Sequence, residues 1–245
     1  MKLLLVIWLW VLTNICHAQS ITGAGDPWPP FISPGEAGQP AQGVALEIVT
    51  EAFKREGYEL TMNFVPWARA IGGVKKGDYD ILVGTWWTQE RTEFLHYSDF
   101  YLENSIKFIK RVNDDFQFND MASLDGKKIG IVRDYGYGDK FLKAKNFTKS
   151  ETNDFIINLK KLIDKRVDLT LEDEIVARAW IAENDPELLN KIEFTENALS
   201  KNKLYVTSGI KNTQNKAIID AFNLGLKAIK SDGTFDKILE KHKLK

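Results

Sequence analysis

The sequence predicts an α/β protein made of two units, each a sheet flanked by helices. Three observations point there. Strand-like and helix-like stretches alternate over 20–84 and again over 127–239, the order in which helices cover a sheet. Hydrophobic residues make up 44% of the 245 residues, enough for packed cores. No Pro/Ser-rich linker, low-complexity tract or short repeat interrupts the chain, so two units are joined by something stiffer than a floppy tether.

The first unit opens with a strand over 20–25 and a turn-rich stretch containing Asp26, Pro27, Trp28, Pro29, Pro30 and Phe31. Ala45, Ile48, Val49, Ala52 and Phe53 then share one helical face, stopped by Gly57. Leu60, Met62 and Phe64 alternate with polar residues, as in a half-buried strand. Pro66 suits the first turn of a helix that carries Trp67, Ala70, Ile71 and Val74 inward and ends near Gly77. The compact apolar run 80–84 reads as a buried strand.

The second unit begins with a strand over 127–132, which enters the loop Arg-Asp-Tyr-Gly-Tyr-Gly (133–138) and a helix through Phe141 and Leu142. Phe155, Leu159, Leu162 and Ile163 form a helical stripe over 154–164. A strand over 167–171, a helix over 174–183, and separate strands over 191–195 and 204–210 follow. Two closing helices split near Gly233. Ligands of such sheets sit off the C-terminal ends of strands. That singles out 26–31, 84–91, 133–138 and 172–174.

Residues 1–18 read as a secretory signal: Lys2, an apolar run over 3–12, then small Ala18. The apolar core is too short for the roughly 20 residues of a spanning helix. Cleavage after Ala18 removes Cys16, the only cysteine, and leaves a chain without thiols for an oxidising, periplasmic compartment. Thr13, Asn14 and Ile15 fit a lipoprotein signal poorly. The 33 basic and 34 acidic residues are nearly balanced, which argues against nucleic acid or a polybasic membrane contact. His96 and His242 lie far apart, and no HExxH, P-loop or G-x-S-x-G motif occurs. No metal, cofactor or catalytic residue is therefore expected.

Four stretches resemble, in the right order, the periplasmic solute-binding proteins of ABC uptake systems, family 3, the polar amino-acid-binding type. The most specific is GDYDILVGTWWTQERTEFLHYSDFY (77–101), with a Gly-x-x-Asp strand, Thr-x-x-Arg, then Tyr-Ser and an aromatic. SLDGKKIGIV (123–132) is similar to the family's entry into its second lobe. KRVDLTLEDEIVARAWI (165–181) is similar to its Val-Asp strand with an Asp five residues on. Gly225, the run Asp232-Gly233-Thr234-Phe235 and Ile238 are similar to its closing helices.

The resemblance implies a type II periplasmic-binding-protein fold. Lobe one would comprise 19–103 and 202–245, lobe two 104–201, and paired hinge strands would cross near 100–106 and 199–204. It further implies a monomeric, non-enzymatic protein that closes around an amino acid or similar small ligand and is met by an inner-membrane ABC permease. A few relatives of the fold are dehydratases acting on arogenate or prephenate, and others sense ligand for a membrane receptor.

Within this resemblance Arg91 grips the ligand's α-carboxylate, since a planar guanidinium matches a carboxylate with two parallel hydrogen bonds. The alternative is a surface Arg paired with Glu90 or Glu93. Asp173 faces it from lobe two as partner of the α-ammonium, or is a helix-terminal charge, with Glu172 and Glu174 in position to exchange roles. Trp28 is a stacking wall or a core residue. Trp86, beyond Gly84, stands where the family often has a small residue or Thr, which makes the pocket more aromatic and able to hold a ring or a cation. Arg69 of Pro66-Trp67-Ala68-Arg69-Ala70 is a second anion contact or a solvated helix residue. Tyr137 comes from the lobe-two loop that completes the cage.

Overall fold

The structure is a computed structural model that describes residues 18–35 and 39–244. The expected signal falls almost wholly outside them. In chain order the elements are β1 (Gln19–Gly25), α1 (Val44–Arg55), β2 (Tyr58–Phe64), α2 (Trp67–Lys76), β3 (Ile81–Trp86), β4 (Leu95–Tyr97) and β5 (Leu102–Arg111). Then follow β6 (Lys128–Val132), α3 (Asp139–Lys143), β7 (Thr148–Thr152), α4 (Phe155–Ile163), β8 (Leu169–Asp173), α5 (Glu174–Asn184), β9 (Ile192–Gly209), α6 (Asn215–Ser231) and α7 (Thr234–Lys241).

The strands run β2-β1-β3-β9-β5-β8-β6-β7, with β4 on the side of β9. Parallel pairs β1/β2 and β1/β3 build one lobe, and β6/β7 and β6/β8 build the other. Between them lie the antiparallel strands β5 and β9, which belong to both. β9 pairs with β3 and β4 near its C-terminal end and with β5 along most of its length, Leu102 to Leu204 and on to Arg111 to Ile192. The joint is thus a paired ribbon, which bends but does not come apart.

The elements form where apolar spacing demands them. In α1, Val44, Ala45, Ile48, Val49, Ala52 and Phe53 are buried on one stripe. In α4, Phe155, Leu159 and Leu162 are buried, and Asp154 caps the first turn by accepting from the Ile157 N–H at 2.8 Å. α2 ends at Gly77, whose φ of 92° only glycine adopts freely. Pro66 stands just outside α2 as its N-cap rather than within its first turn.

Two expectations are corrected. The strands expected at 191–195 and 204–210 are one 18-residue strand, β9. Its middle, Glu196-Asn197-Ala198-Leu199-Ser200-Lys201-Asn202-Lys203, is polar and lacks β-branched residues. Pairing with β5 holds it extended, with register shifts at Ile106/Lys107 and Lys107/Ile109. Strand β8 also runs to Asp173, two residues beyond the expected end. Polar β7 had no counterpart in the sequence reading, because an edge strand needs no apolar alternation.

Both described ends of the chain lie in one lobe. The Gln19 side-chain amide donates to Gln214 at 2.8 Å. α6 and α7 pack on α1, where Glu47 accepts from Lys241 at 2.8 Å.

Candidate functional site

The C-terminal ends of β1 and β3 face the C-terminal ends of β6 and β8 across a cleft. Asp26 and Trp28 follow β1, Trp67 opens α2, and Trp86 ends β3. Arg91 lies in a single 3-10 turn over Glu90–Glu93, and Tyr135 lies in the loop after β6. These six line an inner chamber, together with Gly84 and Gly136. A wider outer chamber shares Arg91, Tyr135 and Gly136 and opens towards Lys75, Glu90 and Glu151. The lobes are closed. The inner chamber leaves about 20 Å³ for the centre of a water molecule, the outer about 340 Å³.

Arg91 is 5% exposed. The Thr-x-x-Arg spacing has a local cause: the Thr88 hydroxyl accepts from the Arg91 backbone N–H at 3.2 Å and fixes the turn. The guanidinium donates to the Trp86 carbonyl at 2.8 Å and to the Asp134 carbonyl at 2.5 Å. It also lies 5.4 Å from the Trp67 ring centre. Among the described residues no carboxylate stands within ion-pair distance of it, so the pairing with Glu90 or Glu93 is not made. Burial lowers its pKa from the ordinary arginine value.

Other bonds also cross the cleft. The Tyr135 hydroxyl donates to Asp26 at 2.7 Å, the Trp67 indole to the Asp134 carbonyl at 2.9 Å, and the Trp28 indole to Glu172 at 3.2 Å. Asp134 holds its carbonyl there at a φ of 61°, a left-handed conformation uncommon for a non-glycine residue. Glu172 is fully buried. One of its oxygens accepts from Trp28 and from the Asp173 N–H, and the other has no partner. Burial pushes the Glu172 carboxyl up to about 8 and that of Asp26 up to about 6.

Of the sequence-selected residues, Arg91, Trp28, Trp86 and Gly84 meet at the inner chamber. Trp28 is both wall and core, stacked 4.8 Å from Phe31. Gly84 sits at a bulge of β3 with φ 74°, where a Cβ would stand 3.3 Å from Ile32. Arg69 is exposed on α2 and lines neither chamber.

Asp173 is not brought into the chamber. It is the N-cap of α5: one oxygen accepts from the Ile175 and Val176 N–H groups, the other from the Ser105 N–H. Its carboxylate is therefore already used by backbone. The neighbour that β8 turns to the opposite side, Glu172, meets Trp28 instead. Tyr137 is likewise displaced. Its hydroxyl accepts from the Val132 N–H at 3.0 Å and its ring packs on Phe141, while Tyr135 takes the chamber position.

Asp26, Trp67, Tyr135 and Gly136 were not selected as ligand contacts, and Glu172 was named only as an alternative to Asp173. All but Trp67 lie in the segments marked by strand ends. Trp67 has the spacing of a core helix residue, and its role shows only when Asp134 arrives from the other lobe.

A Cβ at Gly136 would stand 2.9 Å from the Arg91 guanidinium and 3.1 Å from Thr88. No left-handed backbone requires glycine there, so Gly136→Ala acts on closure alone. We expect it to weaken ligand binding about tenfold, from about 1–3 kcal/mol of overpacking in the closed state. Calorimetric titration checks the affinity, and the fall in radius of gyration on closure should need about tenfold more ligand.

Among the described residues no helix is long and apolar enough to cross a membrane, and no group of His, Cys, Asp and Glu is placed to hold a metal. The family model for bacterial extracellular solute-binding proteins, family 3, matches residues 21–245. The probable histidine-binding protein of Campylobacter jejuni is 25% identical over 82% of this chain and 77% of its own. ABC transporter arginine-binding protein 1 of Escherichia coli is 27% identical over 88% and 87%. An ancestral arginine-binding protein solved with arginine overlays with a TM-score of 0.77 at 23% identity, covering 92% of this chain and 98% of that one. That last likeness concerns the fold. These relatives are binding proteins, and they do not favour the dehydratase alternative. Its two lobes, its crossing strands and a match over residues 21–245 make this chain a member of the bacterial extracellular solute-binding proteins, family 3.

Proposed function

We propose that this protein captures an amino acid or a closely related carboxylate-bearing amine between its lobes. The observation that carries the reading is the buried Arg91 guanidinium, held by two carbonyls and no carboxylate. A buried charge without a counter-ion is costly, and a ligand carboxylate supplies the missing partner. Asp26 and Glu172 stand for the amine end, in place of Asp173. One arginine is faced by the Asp26 carboxylate and by Glu172, whose burial pushes it up to about 8, and relatives of the chain are named for histidine and arginine. Lobe one, 19–103 with 202–245, receives the ligand, and lobe two, 104–201, closes over it as a hinged body. We place the protein in the periplasm as a monomer, cut after Ala18, where an inner-membrane ABC permease recognises its closed form.

Titration calorimetry with each of the twenty amino acids tests the reading. At least one should bind with micromolar or tighter affinity and shift the tryptophan fluorescence, since Trp28, Trp67 and Trp86 all line the chamber. Silence from the whole panel in both signals removes the amino-acid reading.

A further inference from the structure

We propose that the inner chamber is an aromatic box for a methylated ammonium, so that the preferred ligands are betaine-type zwitterions, with a carboxylate at one end and a quaternary or N-methylated nitrogen at the other. The proposal rests on the reading of this chamber as the solute site and names the chemistry of its amine end.

Four rings form the box. Trp28 and Trp86 meet at 5.8 Å and 74°, Trp86 and Tyr135 at 5.5 Å and 85°, and Trp67 and Tyr135 at 6.0 Å and 84°. Rings set nearly perpendicular form walls rather than a stack. Their polar handles are already engaged. The Trp28 indole N–H goes to Glu172, that of Trp67 to the Asp134 carbonyl, that of Trp86 to Asn104, and the Tyr135 hydroxyl to Asp26. What remains for a guest is the surface of the rings.

Such a surface suits a cation that donates no hydrogen bonds, which the ring quadrupoles attract. A primary ammonium brings three N–H groups, each of which loses water on entry and needs an acceptor. The rings supply none; one oxygen of Asp26 is occupied by Tyr135, which leaves its second oxygen and the unpartnered Glu172 oxygen, two acceptors for three N–H groups. The sign of the field also favours a cation. Among the described residues Arg91 is the only basic one lining the inner chamber, and a ligand carboxylate would offset it. Asp26 lines the same chamber, and Glu172, bonded to Trp28, keeps one buried oxygen without a partner. At pH 7 Glu172, pushed up to about 8 by burial, keeps its proton, so a fixed positive charge is drawn to the Asp26 carboxylate, without having to hydrogen-bond to it. A long side chain would have to pass by Tyr135 and Gly136 into the outer chamber.

The test is calorimetric titration at pH 7 with glycine, N-methylglycine, N,N-dimethylglycine and N,N,N-trimethylglycine, followed by 3,3-dimethylbutyrate, which has carbon in place of the charged nitrogen. Affinity should rise along the methyl series, by at least tenfold from first to last. Trimethylglycine should bind at least tenfold more tightly than its neutral analogue. Tyr135→Phe should keep the preference for methyl groups, and Tyr135→Leu should reduce it at least fivefold. If glycine, arginine or histidine binds and added methyl groups weaken binding, the box is overturned while the solute-binding reading stands. Equal affinity for 3,3-dimethylbutyrate overturns it too, since the chamber is then only an apolar slot. Silence from the methyl series also overturns it, and the amino-acid panel then decides the broader reading separately.

Discussion

Arg91→Met is expected to lower ligand affinity at least a hundredfold and, in the same protein, to raise the melting temperature without ligand. The two effects have one cause. In the liganded site a guanidinium–carboxylate pair forms out of water, where parallel charge-assisted bonds are strong. Removing one partner of such a pair costs about 3–5 kcal/mol, or about 10²–10⁴ in affinity. Without ligand the guanidinium is buried against two carbonyls, and burial already lowers its pKa. Methionine is of similar length and fills irregular space without a charge. The carbonyls it abandons keep other donors: Trp67 for Asp134, and the Tyr97 hydroxyl, at 3.4 Å, for Trp86. Calorimetry and thermal unfolding on one preparation check both halves. Affinity within threefold of the unmutated protein would show that Arg91 is not the anchor.

The second large effect concerns pH. Burial lifts the Glu172 carboxyl from 4.5 to about 8, with further upward pushes from Asp173 and Asp26, while the Trp28 indole and the Asp173 N–H pull it back. In the folded chain this group keeps its proton over a range where the unfolded chain has lost it. Stability tied to it is fully present below pH 4.5 and is lost as pH rises towards 8, on the order of 3–5 kcal/mol across the window. Asp26 acts with the same sign between 3.8 and about 6. Glu47, Glu174 and Asp232 are displaced downward by their basic or hydroxyl partners. Their contribution is lost below pH 4.5, outside this window. The urea midpoint of the unliganded protein should therefore fall from pH 5 to pH 8, and Glu172→Gln should flatten most of that fall. Parallel curves for the two proteins would assign the titration elsewhere.

The parts of this molecule that were legible are those where one local pattern decides. The stripes of α1 and α4, the alternation of β2 and the turn glycine after α2 each depend on near neighbours in sequence. Three of the segments marked after strand ends line the chamber, and the fourth supplies Glu172, which bonds Trp28. Choosing within a segment was harder. Glu172 and Asp173 differ by one residue, and which of them faces Trp28 follows from how far β8 extends, set by pairing with β5. Tyr135 and Tyr137 share a loop, and a hydrogen bond to the Val132 backbone draws the second into the core. β9 was illegible in its middle because the force that keeps it extended lies on another strand, distant in sequence.

The placement of Gln19, α6 and α7 in one lobe decides how motion can be watched. Fluorophores fused near the two ends would keep their separation as the cleft shuts, and energy transfer between them would stay flat. One dye belongs on an exposed site such as Lys237 in α7 and the other on Lys145, after α3 in the opposite lobe. With Cys16 as the sole native thiol, cysteines introduced at those two sites would report opening and shutting directly.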